Sequence, residues 1–153
     1  MDFSFTDMND KTFSKLNGPS TVENMDLSRT LVKDLAANGL KGMPNLQDID
    51  LSDSSLNDAG VANLVKACPQ LKFLTLTGTH VTDECFLSLQ KLQHLVKLKI
   101  KRTAISGKNF DKLVGLKSLV KISLAGTHLQ KEYVQKFRKA RPTCRLAIDD
   151  PEF

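Results

Sequence analysis

Three sets of residues in this chain carry groups that could do chemistry. The thiols of Cys68, Cys85 and Cys144 are the candidate nucleophiles. Cys85 follows Thr82-Asp83-Glu84, a helix-start pattern, and a helix N-terminus favours thiolate. No histidine is spaced to act as its base, so burial is the expectation. His80 and His128 sit in two Gly-Thr-His turns. Those turns lie two structural units apart, and strands two apart are separated by roughly 10 Å, too far to share one metal ion. Asp48, Asp50 and Asp53 offer carboxylates, but no glycine-centred loop with a closing glutamate follows them, as calcium would require. Phosphate-binding loops and nucleophile elbows are also missing from the sequence. The expectation is a protein with no catalytic residues, no metal site and no cofactor.

A fourth set is of another kind. Lys97, Lys99, Lys101 and Arg102 crowd one short segment, with Lys121 further on. Basic residues packed this closely repel one another and are not required for folding. They suit recognition, and what they recognise depends on how the chain positions them.

The positioning elements are repeats. Leu71-x-x-Leu74-x-Leu76-x-x-Thr79 returns as Leu95-x-x-Leu98-x-Ile100-x-x-Thr103 and as Leu119-x-x-Ile122-x-Leu124-x-x-Thr127. Upstream stand Leu46-x-x-Ile49-x-Leu51-x-x-Ser54 and Val22-x-x-Met25-x-Leu27-x-x-Thr30. A degenerate last copy is Thr143-x-x-Leu146-x-Ile148. The period is about 24 residues, which marks a solenoid, and solenoids build long binding surfaces. Within a unit, apolar residues two apart point one way from a strand. A turn follows, then a plug residue (Val32, Leu56, Val81, Ile105, Leu129), and then an inward helical face such as Phe86, Leu89 and Leu92. Thr82 is placed to cap that helix. The hydroxyl slot Thr30, Ser54, Thr79, Thr103, Thr127 is placed to satisfy turn backbone.

Bulk properties agree with one soluble domain. The chain has 153 residues, 41% hydrophobic and 25% charged, and a net charge of +5. That charge is polarised: residues 1–70 sum to −4 and residues 71–153 to +9. An odd number of cysteines without a CxxC pair points to free thiols in a reducing compartment. The start of the chain lacks a basic, apolar leader, and no stretch reaches the length of a membrane span. A cytoplasmic location, or export by a route independent of a signal peptide, is expected. The expected organisation is a single unit over 1–153: a helical N-terminal cap over 1–21 whose strand is missing, repeats over 22–142, and a cap strand with a loose tail over 143–153.

The repeated LxxLxLxxT pattern, carried over residues 22–148, resembles the leucine-rich repeat family. Cys68-Pro69-x-Leu71-x-x-Leu74-x-Leu76-x-Gly78-Thr79-x-Val81-Thr82-Asp83 is similar to the unit of its cysteine-containing subtype and bacterial relatives. That subtype usually carries Cys or Asn where this chain carries Thr or Ser. Arg141-Pro142-Thr143-Cys144-Arg145-Leu146 resembles a Pro-x-Cys ending found in such bacterial proteins. The resemblance implies an α/β solenoid of five full repeats and terminal half-repeats, with a curved parallel sheet on the concave face and helices on the convex face. It further implies non-catalytic protein recognition, as in adaptors or pathogen effectors.

On that fold, the residues alternating with the apolar ones form the concave face and its rim. The expected partner-binding set is Asp48, Asp50, Asp53, Phe73, Thr75, Lys97, Lys99, Lys101, Arg102 and Lys121. The basic residues would meet a protein partner's acidic segment, the aspartates would meet its bases, and Phe73 would act as an exposed apolar anchor. The competing reading is nucleic-acid binding through the basic C-terminal half, including Lys108, Lys112, Lys117, Lys136, Arg138, Lys139 and Arg141. It is disfavoured because few aromatics are available to stack bases and the aspartates would repel phosphate. The expected assembly is a monomer, or a weak homodimer formed at an end strand.

Overall fold

Each repeat places two leucine-type residues two apart in the chain, and the backbone answers with a three-residue strand. The computed structural model describes residues 1–16, 18–35, 37–40 and 42–148. The strands are β1 (Asn24–Asp26), β2 (Asp48–Asp50), β3 (Phe73–Thr75), β4 (Lys97–Lys99), β5 (Lys121–Ser123) and β6 (Arg145–Ala147). They form one six-stranded parallel sheet in the order β1-β2-β3-β4-β5-β6. The middle residue of every strand turns into the core: Met25, Ile49, Leu74, Leu98, Ile122 and Leu146 are in register across the sheet. The two flanking residues of each strand fall on the opposite side, as the two-residue period requires, and all but Ser123, which is buried, are exposed or half-buried.

The return half of each unit is helical but not uniform. Helices α1 (Asp10–Phe13), α2 (Asp58–Ala67), α3 (Cys85–Leu89) and α4 (Lys131–Ala140) are joined by 3₁₀ turns at Ala37–Leu40 and Phe110–Leu113. Phe86, Leu89 and Leu92 are fully buried, as their spacing predicts. Phe86, Phe110 and Phe137 meet edge to face, with ring centroids 5.1 and 5.5 Å apart, a favoured geometry for aromatic pairs. One contiguous core runs from Phe13 to Cys144, so each unit is stabilised through its neighbours.

Two side-chain ladders recur along the chain, one within each turn and one between units. Thr30, Ser54, Thr79, Thr103 and Thr127 each donate a hydroxyl hydrogen to the carbonyl three residues back, at 2.7, 2.8, 2.7, 3.0 and 2.6 Å. The predicted hydroxyl slot is therefore a turn lock, which satisfies buried polar atoms locally. The second ladder was not anticipated. Asp10, Asp34, Asp58 and Asp83 occupy one slot, and each bonds the following unit. Asp10 accepts the amides of Lys33, Asp34 and Leu35. Asp34 accepts from the Asn57 side chain. Asp58 accepts the Thr82 amide at 2.9 Å and its hydroxyl at 2.7 Å. Asp83 accepts from the Ser106 amide and hydroxyl and from the Gly107 amide. The Thr82 hydroxyl does two things: it donates to Asp58, and its oxygen accepts the Glu84 amide at 3.3 Å, capping the turn that opens α3 as the sequence predicts.

The N-terminal expectation is also corrected. The strand of the first unit is not missing. Asp2 lies in a parallel bridge with Asp26. The Phe3 amide donates to the Asp26 carbonyl at 2.8 Å, and the Phe5 amide donates to the Ser28 carbonyl at 3.1 Å. Thr6 donates its hydroxyl to the Phe3 carbonyl at 2.6 Å, as the later threonines do in their own turns. The signal was present: Met1-Asp2-Phe3-Ser4-Phe5-Thr6 echoes Met25-Asp26-Leu27-Ser28-Arg29-Thr30. Short α1 then closes the segment through a reciprocal cap between Asn9 and Thr12. The expected loose tail from Asp149 to Phe153 lies outside the described residues.

Candidate functional site

The outward residues of the strands form two rows across the concave face. In the first, Asn24, Asp48, Phe73, Lys97, Lys121 and Arg145 stand side by side. In the second, Asp2, Asp26, Asp50, Thr75, Lys99, Ser123 and Ala147 do. Acids thus cover the N-terminal end and bases the C-terminal end, with β3 between them. Neighbouring strands lie about 4.8 Å apart, so the carboxylates of β2 and the ammonium groups of β4 ride roughly 10 Å apart. Asp26 and Arg145 were visible as concave residues of the sequence; Asp2 was missed because its unit was not recognised as having a strand.

The chemistry of the face is set by what each group touches. Asp2, Asp26 and Asp50 each accept the amide two residues on, from Ser4, Ser28 and Ser52, at 2.9, 2.8 and 2.8 Å. These bonds hold the carboxylates in one orientation. Asp48 accepts no such bond. Burial pushes its carboxyl above the ordinary range, neighbouring Asp50 adds to this, and Lys99 from across β3 opposes it. Phe73 is half-buried rather than fully exposed, with the Lys97 ammonium 5.7 Å from its ring centroid. Lys97, Lys99 and Arg145 are exposed, and Lys121 is half-buried. None of the four makes an ion pair among the described residues. A shallow depression of about 310 Å³ opens between Asp48, Phe73, Thr75, Lys97 and Lys99. A second, of about 360 Å³, spreads over Asp2, Asp26, Asp48, Asp50 and Lys99.

Asp53 and Arg102 are placed differently from their strand neighbours. Both lie in the turn after the strand, in the slot Phe5, Arg29, Asp53, Gly78, Arg102 and Gly126, where every residue has a positive φ of 50–68°. Asp53 accepts a hydrogen bond from Arg102 Nη2 at 3.0 Å and lies 3.8 Å from Arg29 Nε. The pair with Arg102 spans the unit between them, where only glycine fits: a Cβ on Gly78 would land on Asp53 Oδ1. Asp53 and Arg102 therefore partly neutralise each other along the rim. Lys101 sits beside them, half-buried, in a depression with Thr77, Ala125 and Gly126. The Arg29 guanidinium stacks 4.6 Å from the Phe5 ring centroid, and Phe5 is 71% exposed.

One residue of the competing nucleic-acid track is not available at the surface. Arg141 is 8% exposed and donates to the carbonyls of Val114, Leu116 and Leu119 at 3.1, 2.6 and 2.9 Å. It is a structural residue, not part of a basic track. The three thiols are free and buried, as expected for Cys85. Burial pushes Cys68 up to about 11 and raises Cys85 and Cys144. His80 and His128 are exposed in their turns. Among the described residues no group of three His, Cys, Asp or Glu side chains is arranged to hold a metal ion. No helix among them is long and apolar enough to cross a membrane.

Short parallel strands in chain order, one per repeat, with helical returns between them and turns locked by their own hydroxyls, define the leucine-rich repeat fold, and the chain has that fold. Comparisons with known proteins agree. The chain is 31% identical over 105 residues to acidic leucine-rich nuclear phosphoprotein 32-related protein 2 of Caenorhabditis elegans, a match covering 61% of this chain and 47% of that protein. The chain thus matches about half the length of that relative. Internalin C2 of Listeria monocytogenes superposes with a TM-score of 0.67 at 20% identity, covering 84% of this chain and 52% of the other. A leucine-rich repeat protein of Leptospira interrogans superposes with a TM-score of 0.65 at 16% identity, covering 83% of this chain and 31% of the other. No family model matches the chain.

Proposed function

We propose that the chain is a non-catalytic protein-interaction module, an adaptor or effector domain acting inside a cell, that docks a partner on its concave face. The observation carrying this reading is the division of the two outward rows into an acidic end and a basic end around half-buried Phe73. Lys97, Lys99 and Lys121 would meet an acidic segment of the partner. Asp48 and Asp50 would meet its bases. Thr75 and the Phe73 ring offer a small apolar contact at the centre. Lys101, Arg102 and Asp53 form the rim beside this patch. The raised carboxyl of Asp48 supports the reading, since a folding-neutral surface would not hold a carboxylate against partial burial and a neighbouring acid. The repeat fold of the relatives supports an interaction role, and the nuclear label of the nematode protein favours an intracellular site for this one.

The test uses labelled peptides with an Asp/Glu run ending in Leu or Phe, and titrates them against wild type and Lys97→Glu/Lys99→Glu. Two reversals of exposed charge predict about a 10–100-fold loss of affinity. Circular dichroism must show the variant folded. If wild type shows no preference for acidic peptides over neutral ones, or binds a DNA duplex more tightly at physiological salt, the reading is overturned.

A further inference from the structure

The helical side of the chain carries a cleft that the strand rows do not use. Helix α4 has ten residues, but the 3₁₀ turn of the preceding unit, Phe110–Leu113, has four. The long helix overhangs its short neighbour, and a half-enclosed cleft of about 360 Å³ opens between them. The buried rings of Phe110 and Phe137 form its floor, with centroids 5.5 Å apart, edge to face. Gly107 and Tyr133 stand at one end. Gly107 has a φ of 92°, and a Cβ there would lie 3.1 Å from Tyr133 Cβ, so a side chain would crowd the helix. Val114 and Ala140 stand at the other end. That end is open: at the adjoining Gly115 a Cβ would meet nothing within 4 Å. Tyr133 and Ala140 are two helical turns apart, so the cleft is about 10 Å long.

Charge is distributed unevenly around this apolar floor. Asp111 at the rim is engaged by the Lys112 ammonium at 2.8 Å. Lys108 and Lys136, also at the rim, are exposed and make no ion pair among the described residues. The Lys136 ammonium lies 5.8 Å from the Tyr133 ring centroid, and Lys108 follows Gly107, so both cations belong to the Tyr133 end. An aromatic floor with two uncompensated cations at one end complements a flat apolar body that carries a negative group. We propose that this cleft binds a small organic anion with an aromatic body of one or two rings. The rings lie on Phe110 and Phe137 and point toward Val114 and Ala140, and the anionic group lies between Lys108 and Lys136.

Magnitudes define the behaviour to expect. The volume falls at the low end of the roughly 300–1,000 Å³ typical of ligand pockets, which sets the limit of one or two rings. The cleft is half open and its lysines stay in water, so a two-ring anion is held with a Kd of about 0.1–1 mM. The cleft lies among the helical returns, so an occupant leaves Lys97, Lys99 and Lys121 on the strands free. The proposal therefore does not rest on reading the concave face as a recognition surface, and either stands if the other fails.

Amide NMR spectra of the full, isotope-labelled chain test it, titrated with naphthoate to about 3 mM. Saturable shifts are expected at Gly107, Phe110, Tyr133 and Ala140, and none along the strands. Naphthamide, which has the same rings without the charge, is expected to bind about 5-fold more weakly. Lys108→Ser/Lys136→Ser should bring naphthoate down to the affinity of naphthamide. Ala140→Phe, which sets a ring in the cleft, should weaken binding by about 10-fold or more. Lys97→Glu/Lys99→Glu should bind naphthoate like wild type. If Ala140→Phe fails to fold, the shift map and the lysine variant decide the matter without it. An absence of saturable shifts, shifts that map to the strands or scatter over the surface, or equal affinity for naphthoate and naphthamide would each overturn the proposal.

Discussion

Replacing Arg141 by methionine should cost the fold about 3 kcal/mol, for reasons that can be worked from its contacts. The guanidinium donates to three carbonyls from the connection between Val114 and Leu119, and two of these bonds are buried. Methionine keeps much of the volume and none of the donors. The Leu116 carbonyl still accepts the Leu119 amide at 3.1 Å, so it retains a partner. The Val114 and Leu119 carbonyls lose theirs. An acceptor stranded in the interior costs about 1–3 kcal/mol, and bonds from a charged donor are the stronger kind. Removing the buried charge returns part of this, because its desolvation penalty disappears as well. The net is about 2–4 kcal/mol. With a urea slope near 2 kcal/mol per molar for a domain of this size, the midpoint should fall by about 1–2 M. Arg141→Lys should recover only part of the loss, since one ammonium cannot fork to three carbonyls. Equilibrium urea unfolding followed by circular dichroism decides it. A methionine variant within about 0.5 kcal/mol of wild type would refute the idea that this arginine closes the C-terminal unit.

Three further outcomes are expected. Asp48 has a carboxyl raised by burial and by Asp50. The native state therefore binds its proton more readily than the unfolded chain, and stability contributed at this site falls as pH rises from the ordinary carboxylate range through the raised value. Asp48→Asn should thus raise the melting temperature at pH 7 and lose that advantage near pH 3; an equal gain at both would sink the argument. The thiols should be inert: with Cys68 at about 11, only about 0.1% is thiolate at pH 8, so a thiol reagent should modify native protein far more slowly than protein in urea, and rapid native labelling would contradict the burial. Gly78→Ala should cost about 1–2 kcal/mol from its positive φ alone, plus the Asp53–Arg102 bond that the new methyl displaces; urea midpoints beside Arg102→Ala would show whether the two losses overlap.

The fold was legible because its determinants recur. Leu74, Leu98 and Ile122 are fully or almost fully buried in register, and their spacing in the sequence already carries a period of two within a period of 24. The helical returns were less legible. Their inward residues repeat, but whether a return becomes a full helix such as α2 or a 3₁₀ turn such as Phe110–Leu113 depends on short-range caps and on room against the neighbouring unit. The aspartate ladder Asp10, Asp34, Asp58 and Asp83 escaped notice for a different reason. Acids at helix starts look like ordinary capping residues, and only the stacked geometry shows that they bond the next unit. The first strand was missed because Phe3 and Phe5 replace aliphatic and polar residues of the pattern, although Asp2, Ser4 and Thr6 keep their slots.

The outward strand positions are where this fold leaves the sequence free. A strand of three residues fixes its middle side chain by burial and its backbone by the ladder, while most flanking side chains stay exposed or half-buried, Ser123 excepted. Across six strands that leaves a field of positions decided by solubility or by recognition. Solubility alone favours interspersed signs. Here the signs are sorted, acids on one end and bases on the other, although carboxylates aligned on neighbouring strands, as at Asp26 and Asp50, repel. The chain offsets that repulsion locally, by turning three of the four carboxylates onto the amides of Ser4, Ser28 and Ser52. It leaves Asp48 and the lysines of β4 without such a partner among the described residues. Those unsatisfied groups lie on either side of Phe73, over the depression at the centre of the face. A ligand of opposite polarity gains most there, because it meets charges that the fold itself has not neutralised.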